Sequence, residues 1–517
     1  MGGARGAEAL REAVAQVAAG ELTRPEALLR ITAEDLEQVL HAQFESDGDV
    51  VLTTGLGASP GAAVGQVYFT ADDCVNAADR GERVVLVRDE TSPEDVHGMQ
   101  LAEGILTTRG GLASHAAVVA RGWGIPAVVG AEAVQIGDGW FTVGSVTVRA
   151  GDVISLDGAT GEVVAGERGV VRSEPPPELA TVLGWADEVR ADRIGVRANA
   201  DNGPDAAAAV AFGAEGIGLC RTEHMFLGDD RLPLVRALLL ATDLEAEAAA
   251  LVQLGVAQRD DFAEILRALD GRPLTVRLLD APLHEFLPAG EAGHEHNPML
   301  GTRGVRLAAL KPGLYEMQVR ALVEAAVADR EAGGAPLVEV MIPLTINGAE
   351  LARARGWVEA AIADTPGGAS VHVAIGTMVE TPRAALVAGE LAAVADFFSF
   401  GTNDLTQMTY GFSRDDVEAR LVPEYLAAGI LPANPFETLD RDGVGALVAL
   451  AIERGRAANP AIQLGVCGEH GGDPTSIAHF VHLGVGYVSC SPYRIPVARL
   501  AAAQAILGVS RPPDDAR

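Results

Sequence analysis

The chain reads as an α/β protein ending in a (β/α)₈ barrel, and three observations carry that expectation. From about Asp192 onward, β-branched runs alternate with helices rich in Ala, Leu and Glu: RIGVRAN, GIGLCRTE, LTVRLLDA, LVEVMIPL, VHVAIGTMVE, FFSFGTND, LGVCGEH and GYVSCSP. Eight such runs, each apolar enough to be buried on both faces, match the strand number of a closed parallel barrel with insertions. Nearly every run also ends in polar or charged residues, and barrel chemistry sits at the C-terminal ends of the strands.

The segments ahead of the barrel differ from it and from each other. Residues 1–48 read as short helices, with Ala7, Leu10, Val14 and Val17 at helical spacing and Thr32 followed by Asp35 as an N-cap with an acidic third position. Residues 49–172 carry short β-rich runs (GAAVGQVYFT, RVVLVRD, GILTT, IPAVVG, WFTVGSVTV, VISLDG, EVVAG) broken by Gly, Asp and Pro turns. One helical stretch, about Ser114 to Trp123, interrupts them, and a compact β/α domain is expected. Residues 173–191 begin with Pro175, Pro176 and Pro177 and are expected to form a semi-rigid linker, leaving 192–517 for the barrel.

Composition narrows the function. Hydrophobic residues make up 48% of the 517, so sizeable cores can form. The opening MGGARGAEALREAV lacks the apolar core of a signal peptide, and no later stretch is long and apolar enough to span a bilayer, so a cytoplasmic enzyme is expected. Cys74, Cys220, Cys467 and Cys490 are widely spaced with no CxxC pair, which argues against a zinc site or a disulfide framework; Cys74 reads as a buried small hydrophobe. A net charge of −32, from 71 acidic and 39 basic residues, argues against nucleic acid as a partner. Handling a small anion would then require arginines gathered locally against the protein's own field.

The strand ends supply that gathering: Asn199, Arg221, Arg277 with Asp280, Glu380, Asn403 with Asp404, and Cys467. Glu380 and Asp404 end adjacent strands and can share one cation; two hard oxygen ligands suit Mg²⁺ or Mn²⁺, which keep waters and take further ligands from substrate. Arg221 and Arg277 offer planar forks for phosphate or carboxylate, and Asn403 a neutral donor where charge develops. Two readings of Cys467 stand here: a proton donor to a substrate carbon, with a pKa near the usual ~8.5, or a buried strand-end cysteine.

A second constellation is Thr108-Arg109-Gly110-Gly111-Leu112-Ala113-Ser114-His115. The glycines allow close backbone approach, Ser114 can cap the following helix, and His115 falls in a first turn whose free N–H groups favour an arriving anion. A lone histidine is ordinarily structural; the glycine pair, the cap and Arg121 argue instead for a nucleophile toward phosphorus.

At these residues the chain resembles a known family. GGLASHAAVVARGWGIPAVVG is similar to the phosphohistidine signature of the pyruvate, phosphate dikinases, and GIGLCRTEHMF, VRLLDAPLHEFLP, NPMLGTRGVRL, GTMVETPRAAL, FFSFGTNDLTQMTYGFSRDD and GVCGEHGGDP to their phosphoenolpyruvate-binding barrel. The resemblance runs from about residue 8 to residue 505. It implies a phosphotransferase moving a phosphoryl group between phosphoenolpyruvate and His115. Arg221 and Arg277 would bind the phosphoryl group with Asp280 in support; Glu380 and Asp404 would ligate Mg²⁺; Ser399, Gly401, Thr402 and Asn403 would hold the substrate; Cys467 would exchange a proton with the methyl carbon of pyruvate. It further implies a swivelling histidine domain, hinged near EPPPE, and a homodimer through the barrel.

Two departures from the pattern stand out. Ala113 occupies a position that in plant members is a regulatory threonine, so that control is expected to be absent. The sequence also begins in what resembles the end of an ATP-grasp domain, with no glycine-rich nucleotide loop before the histidine region. The expectation is therefore the pyruvate half-reaction, with a separate ATP-grasp protein charging His115. An enzyme I-like relay to a carrier protein and a fragment of a full dikinase are the alternatives.

Overall fold

The computed structural model describes residues 2–44, 50–91, 95–111, 114–171, 175–226, 231–241, 243–282, 286–287, 297–418 and 421–509. They divide into two compact units, Met1–Val189 with Arg414–Glu437, and Arg190–Ser413 with Thr438–Val509.

The first unit opens with helices Gly2–Ala18, Arg24–Arg30 and Ala33–Leu40. Thr23 with Glu26, and Thr32 with Asp35, form reciprocal capping boxes that satisfy the first N–H groups of the second and third helices. An eight-stranded sheet follows, in the spatial order Val51–Thr54, Glu162–Ala165, Val153–Asp157, Ala62–Tyr68, Val84–Arg88, Gly104–Thr107, Ala127–Val129, Leu56–Ser59. Its four strands from Ala62–Tyr68 to Ala127–Val129 are parallel. Two helices that the sequence pattern hid, Ala71–Asp79 and Val96–Leu101, accompany His115–Trp123. The first is short, capped by Thr70, and buries only Ala71, Cys74 and Ala77, too small a stripe to stand out against the turns around it. Cys74 is a fully buried core residue.

The proline-led segment expected as a linker is mostly helix, Pro177–Arg190. Proline is excluded from helix interiors, but in a first turn its missing N–H has no partner to lose. Leu179, Val182, Leu183, Trp185 and Ala186 are buried along that helix, so packing overrides the extended preference of the residues before it.

The second unit is a closed barrel of eight strands: Gly195–Asn199, Ile217–Arg221, Pro273–Arg277, Leu337–Ile342, Val373–Val379, Phe397–Phe400, Gln463–Val466 and Tyr487–Cys490. All neighbours are parallel, and the first strand closes on the last with Gly195 opposite Tyr487. Each expected run is thus a strand, because a strand buried on both faces is mainly apolar, and the mid-strand Arg197 and Glu339 are accommodated by pairing with each other at 2.7 Å. Leu219, Met341, Met378, Phe397 and Cys467 pack together inside. Gly376 makes room for Phe397, since a Cβ there would lie 2.5 Å from its ring. Among the described residues, no helix is long and apolar enough to cross a membrane.

Phe397→Ala should leave a cavity inside the barrel and cost about 3–5 kcal/mol of barrel stability. Denaturant unfolding followed by a barrel-specific probe measures it; a loss below about 1 kcal/mol would mean the interior is not close-packed around this ring.

Candidate active site

The barrel mouth is built from strand ends, which places charged groups where a (β/α)₈ fold leaves space for a ligand. Arg221 and Arg277 end the second and third strands and stand opposite each other in register. Two guanidinium groups so placed repel, and each is held by a carboxylate that the sequence reading did not single out. Asp201 accepts from the Arg221 backbone N–H at 2.6 Å and from Nη2 at 2.9 Å. Glu223 pairs with Arg277 Nη2, while Arg277 Nη1 lies 3.4 Å from Asp280. These pairs fix the forks and leave Arg277 Nε buried without a hydrogen-bond partner among the described residues.

Beside them, Asp280, Glu380 and Asp404 bring carboxylate oxygens within 4.8 Å of one another. Arg303, also absent from the expected set, grips Asp280 through both oxygens (Nε–Oδ1 2.7 Å, Nη2–Oδ2 2.8 Å) and reaches Asp404 at 3.4 Å. Burial opposes ionisation of Asp280, but Arg303 and Arg277 override it and hold the carboxyl below its usual range. Glu380 is in the opposite position. Burial first, then Asp404 and Asp280, drive its pKa well above the ordinary value despite the two arginines. Its Oε1 accepts from Leu344 N–H at 2.7 Å, and Oε2 is buried with no hydrogen-bond partner among the described residues. Leu344 presents that N–H from a left-handed backbone, φ 56°, a conformation that costs roughly 1–3 kcal/mol in a non-glycine residue. The donor set is all oxygen, with one oxygen orphaned, which fits a hard divalent cation held chiefly by Glu380 and Asp404, because both Asp280 oxygens are already engaged.

Gly401 ends this wall. A Cβ there would lie 2.8 Å from Glu380 Oε2 and 2.7 Å from Met378 Sδ, so the bare backbone keeps the space beside the free oxygen open. The helix Thr402–Tyr410 starts immediately after and carries Asn403 and Asp404 in its first turn, where a negative side chain is favoured by the helix dipole.

Cys467 follows the adjacent strand, Gln463–Val466, and its backbone N–H donates to the Phe400 carbonyl at 3.2 Å. It is almost fully buried, with Sγ 3.7 Å from the Phe400 carbonyl. Asn199 Nδ2 donates to its carbonyl at 3.2 Å and is itself held by the Ser489 hydroxyl at 2.6 Å. Burial pushes the thiol up to about 12, with the Ser399 hydroxyl pulling the other way. This dryness lifts the thiol above its ordinary range, so the group holds its proton at neutral pH. Tyr487, another residue the sequence reading passed over, is raised to about 12 by burial, and Ser399 acts on it too.

In the other unit, His115 is the first residue of the helix His115–Trp123, capped by Ser114, whose hydroxyl accepts from Ala117 N–H at 3.4 Å. Gly110, at φ 99°, turns the chain against Ser114, where a Cβ would come within 2.8 Å. Arg121 donates to the Ala58 carbonyl at 3.1 Å and to Glu437 at 2.9 Å, so its guanidinium is tied into its own unit. The His115 side chain and Ala113 lie outside the described residues.

Residues 179–507 match the PEP-binding domain of the PEP-utilising enzymes, and residues 81–161 match their mobile domain. The chain belongs to the PEP-utilising enzymes. It is 47% identical to pyruvate, phosphate dikinase 1 of Arabidopsis thaliana, 48% to pyruvate, phosphate dikinase of Rhizobium meliloti and 49% to pyruvate, phosphate dikinase 2 of Zea mays. Those matches cover 96–97% of this chain and 55–60% of the relatives, so the chain spans a little over half their length.

Within this barrel, Asn199, Arg221 and Arg277 end strands, Glu380 and Cys467 directly follow them, Asp280 lies three residues beyond its strand, and Asn403 and Asp404 sit in the first turn of the helix after theirs. Arg303 was missed because it arrives from a loop after Asp280. The motif NPMLGTRGVRL contains it and was the signal that could have found it; Gly304 beside it, at φ 59°, would press a Cβ on Asp280 Oδ1 at 3.0 Å.

Gly401→Ala should fill the space beside Glu380 Oε2 and weaken Mn²⁺ binding by roughly 10-fold or more with little loss of secondary structure. Titration of the free Mn²⁺ signal checks it, and unchanged affinity would show that the cation does not use that oxygen. Because Glu380 must lose a proton that burial stabilises, cation uptake should release close to one proton, and affinity should rise with pH below the Glu380 pKa. Calorimetry in buffers of different ionisation enthalpy reads that proton directly.

Proposed function

We propose that this chain carries the pyruvate half-reaction of a dikinase-type phosphotransferase: phosphoenolpyruvate and His115 give pyruvate and phosphohistidine, reversibly. The observation that carries it is the meeting, at one barrel mouth, of two arginine forks, an all-oxygen cation pocket and a buried protonated thiol. Each has a separate task. Arg221 and Arg277, immobilised by Asp201 and Glu223, hold the phosphoryl oxygens and receive their charge as the phosphorus leaves the enol oxygen. Asn403 adds a neutral donor from the turn after the sixth strand.

Glu380 and Asp404 would hold Mg²⁺, which supplies Lewis-acid stabilisation of the substrate oxygens when bound. The phosphorus–oxygen bond of phosphoenolpyruvate breaks as the bond to the His115 imidazole forms. The electron pair stays on the substrate as pyruvate enolate. The Cys467 thiol then gives its proton to the methylene carbon, producing the methyl group of pyruvate, and regains a proton from solvent. A thiol held near 12 is ready for this direction at neutral pH, since almost all of it is protonated. In reverse its thiolate, once formed, is a strong base. The barrel positions these groups on rigid strand ends, so little reorganisation is needed.

Charging of His115 from a nucleotide is assigned to an ATP-grasp unit, in the same protein or on a separate partner; the barrel chemistry is the same in both cases. A homodimer through the barrel is supported by exposed Leu240, Val252, Val256 and Leu310, on helices drawn together where Lys311 bonds the Leu238 carbonyl and Glu247. A cytoplasmic setting is supported by the four cysteines, all buried and none disulfide-bonded.

Incubation with phosphoenolpyruvate labelled on phosphorus, plus Mg²⁺, should label wild-type protein and leave His115→Ala unlabelled; label surviving in that variant would sink the assignment. Arg277→Met should lower kcat/KM by about 10²–10³-fold. Cys467→Ala should abolish exchange of pyruvate methyl hydrogens with D₂O, followed by proton NMR.

A further inference from the structure

The loop that follows Cys467 and the turn that carries Asn403 and Asp404 are joined by more than backbone. His470 is fully buried, three residues beyond Cys467 in the single turn Glu469–Gly472. Its Nδ1 lies 2.8 Å from Thr402 Oγ1, which is also fully buried. Thr402 is the first residue of the helix whose next two residues are Asn403 and Asp404. A second tie runs parallel, from Glu469 N–H to Asn403 Oδ1 at 3.0 Å. The two segments touch without slack: a Cβ on Gly468 would lie 2.0 Å from Thr402 Oγ1 and 2.9 Å from its backbone nitrogen. On the far side, a Cβ on Gly471 would meet the Ser489 carbonyl at 2.2 Å, so the loop is wedged between the turn and the last strand.

We propose that His470 is a positioning residue that locks the Cys467 loop to the Thr402 turn, keeping the thiol and the cation-holding Asp404 at one fixed spacing. The inference rests on the reading of Glu380 and Asp404 as the cation site. A buried threonine hydroxyl needs a partner, since leaving it unsatisfied costs about 1–3 kcal/mol. A leucine or phenylalanine at position 470 would fill the space, but only a ring nitrogen or an amide reaches that hydroxyl. The bond therefore does what the second shell of a metal site does: it fixes the orientation of groups that themselves touch cation and substrate.

The test uses the full chain with His470→Ala, His470→Asn, Thr402→Val and the double variant His470→Ala/Thr402→Val. The first readout is the Mn²⁺ dissociation constant from the free-ion signal. His470→Ala and Thr402→Val should each weaken Mn²⁺ by about 10–100-fold, and the double variant by no more than the worse single. His470→Asn, whose side-chain amide can take the Nδ1 position, should recover binding to within about threefold of wild type. The second readout is turnover: His470→Ala should lower kcat with KM for phosphoenolpyruvate changed less, because the arginine forks remain.

Mn²⁺ affinity of His470→Ala within about twofold of wild type, or effects of the two single variants that multiply in the double, would overturn the proposal. If His470→Ala does not fold, His470→Asn against Thr402→Val decides the matter: rescue by the first with loss in the second supports it, and equal behaviour of the two overturns it. Failure of wild type itself to bind Mn²⁺ would instead overturn the cation site on which the proposal stands, a distinct outcome.

Discussion

Three carboxylates gathered in a dry pocket of an already acidic protein are the constraint on which the barrel mouth depends. At separations below 4.8 Å, each ionised pair repels by roughly 3–4 kcal/mol for an effective dielectric constant near 20. The molecule resolves this unequally. Arg303 and Arg277 neutralise Asp280, Asp404 lies at the edge of Arg303's reach, and Glu380 is left with an orphaned oxygen and a strong preference for its proton. That inequality suits the cluster to a divalent ion, which would relieve the repulsion that the arginines leave.

The same dryness shapes the other half of the chemistry. A solvent-exposed thiol would be partly ionised near neutral pH and open to oxidation. Packed with Leu219, Met341, Met378 and Phe397, Cys467 stays protonated. Its neighbourhood is ordered by hydrogen bonds across strands: Asn199 holds its carbonyl and is held in turn by Ser489, and His470 and Glu469 reach the turn that carries Asp404. Thiol and cation pocket thus belong to one cross-linked rim.

Most of the scaffold was legible from local pattern. A strand enclosed on both faces is mainly apolar, with exceptions such as Arg197 and Glu339 that pair with each other, so the eight runs and their terminal residues marked both the strands and much of the mouth. Where pattern misled, packing had overridden local preference. The prolines before residue 178 suggested an extended spacer, yet the apolar residues after them form a buried helix face. The short helix Ala71–Asp79 buries only the small residues Ala71, Cys74 and Ala77, set among Asp72, Asp73, Asn76 and Asp79, residue types that also mark turns.

The sequence by itself determined which chemistry is present: arginine forks, hard oxygen ligands, a thiol, and a histidine opening a glycine-led helix. Those follow from residue type and from the rule that strand ends converge. Only the tertiary structure decided how they are tuned. Asp201, Glu223, Arg303 and His470 lie away from the strand-end positions of the groups they orient, and the proton affinities of Glu380 and Cys467 depend on burial, a property of neighbours that no stretch of chain carries alone.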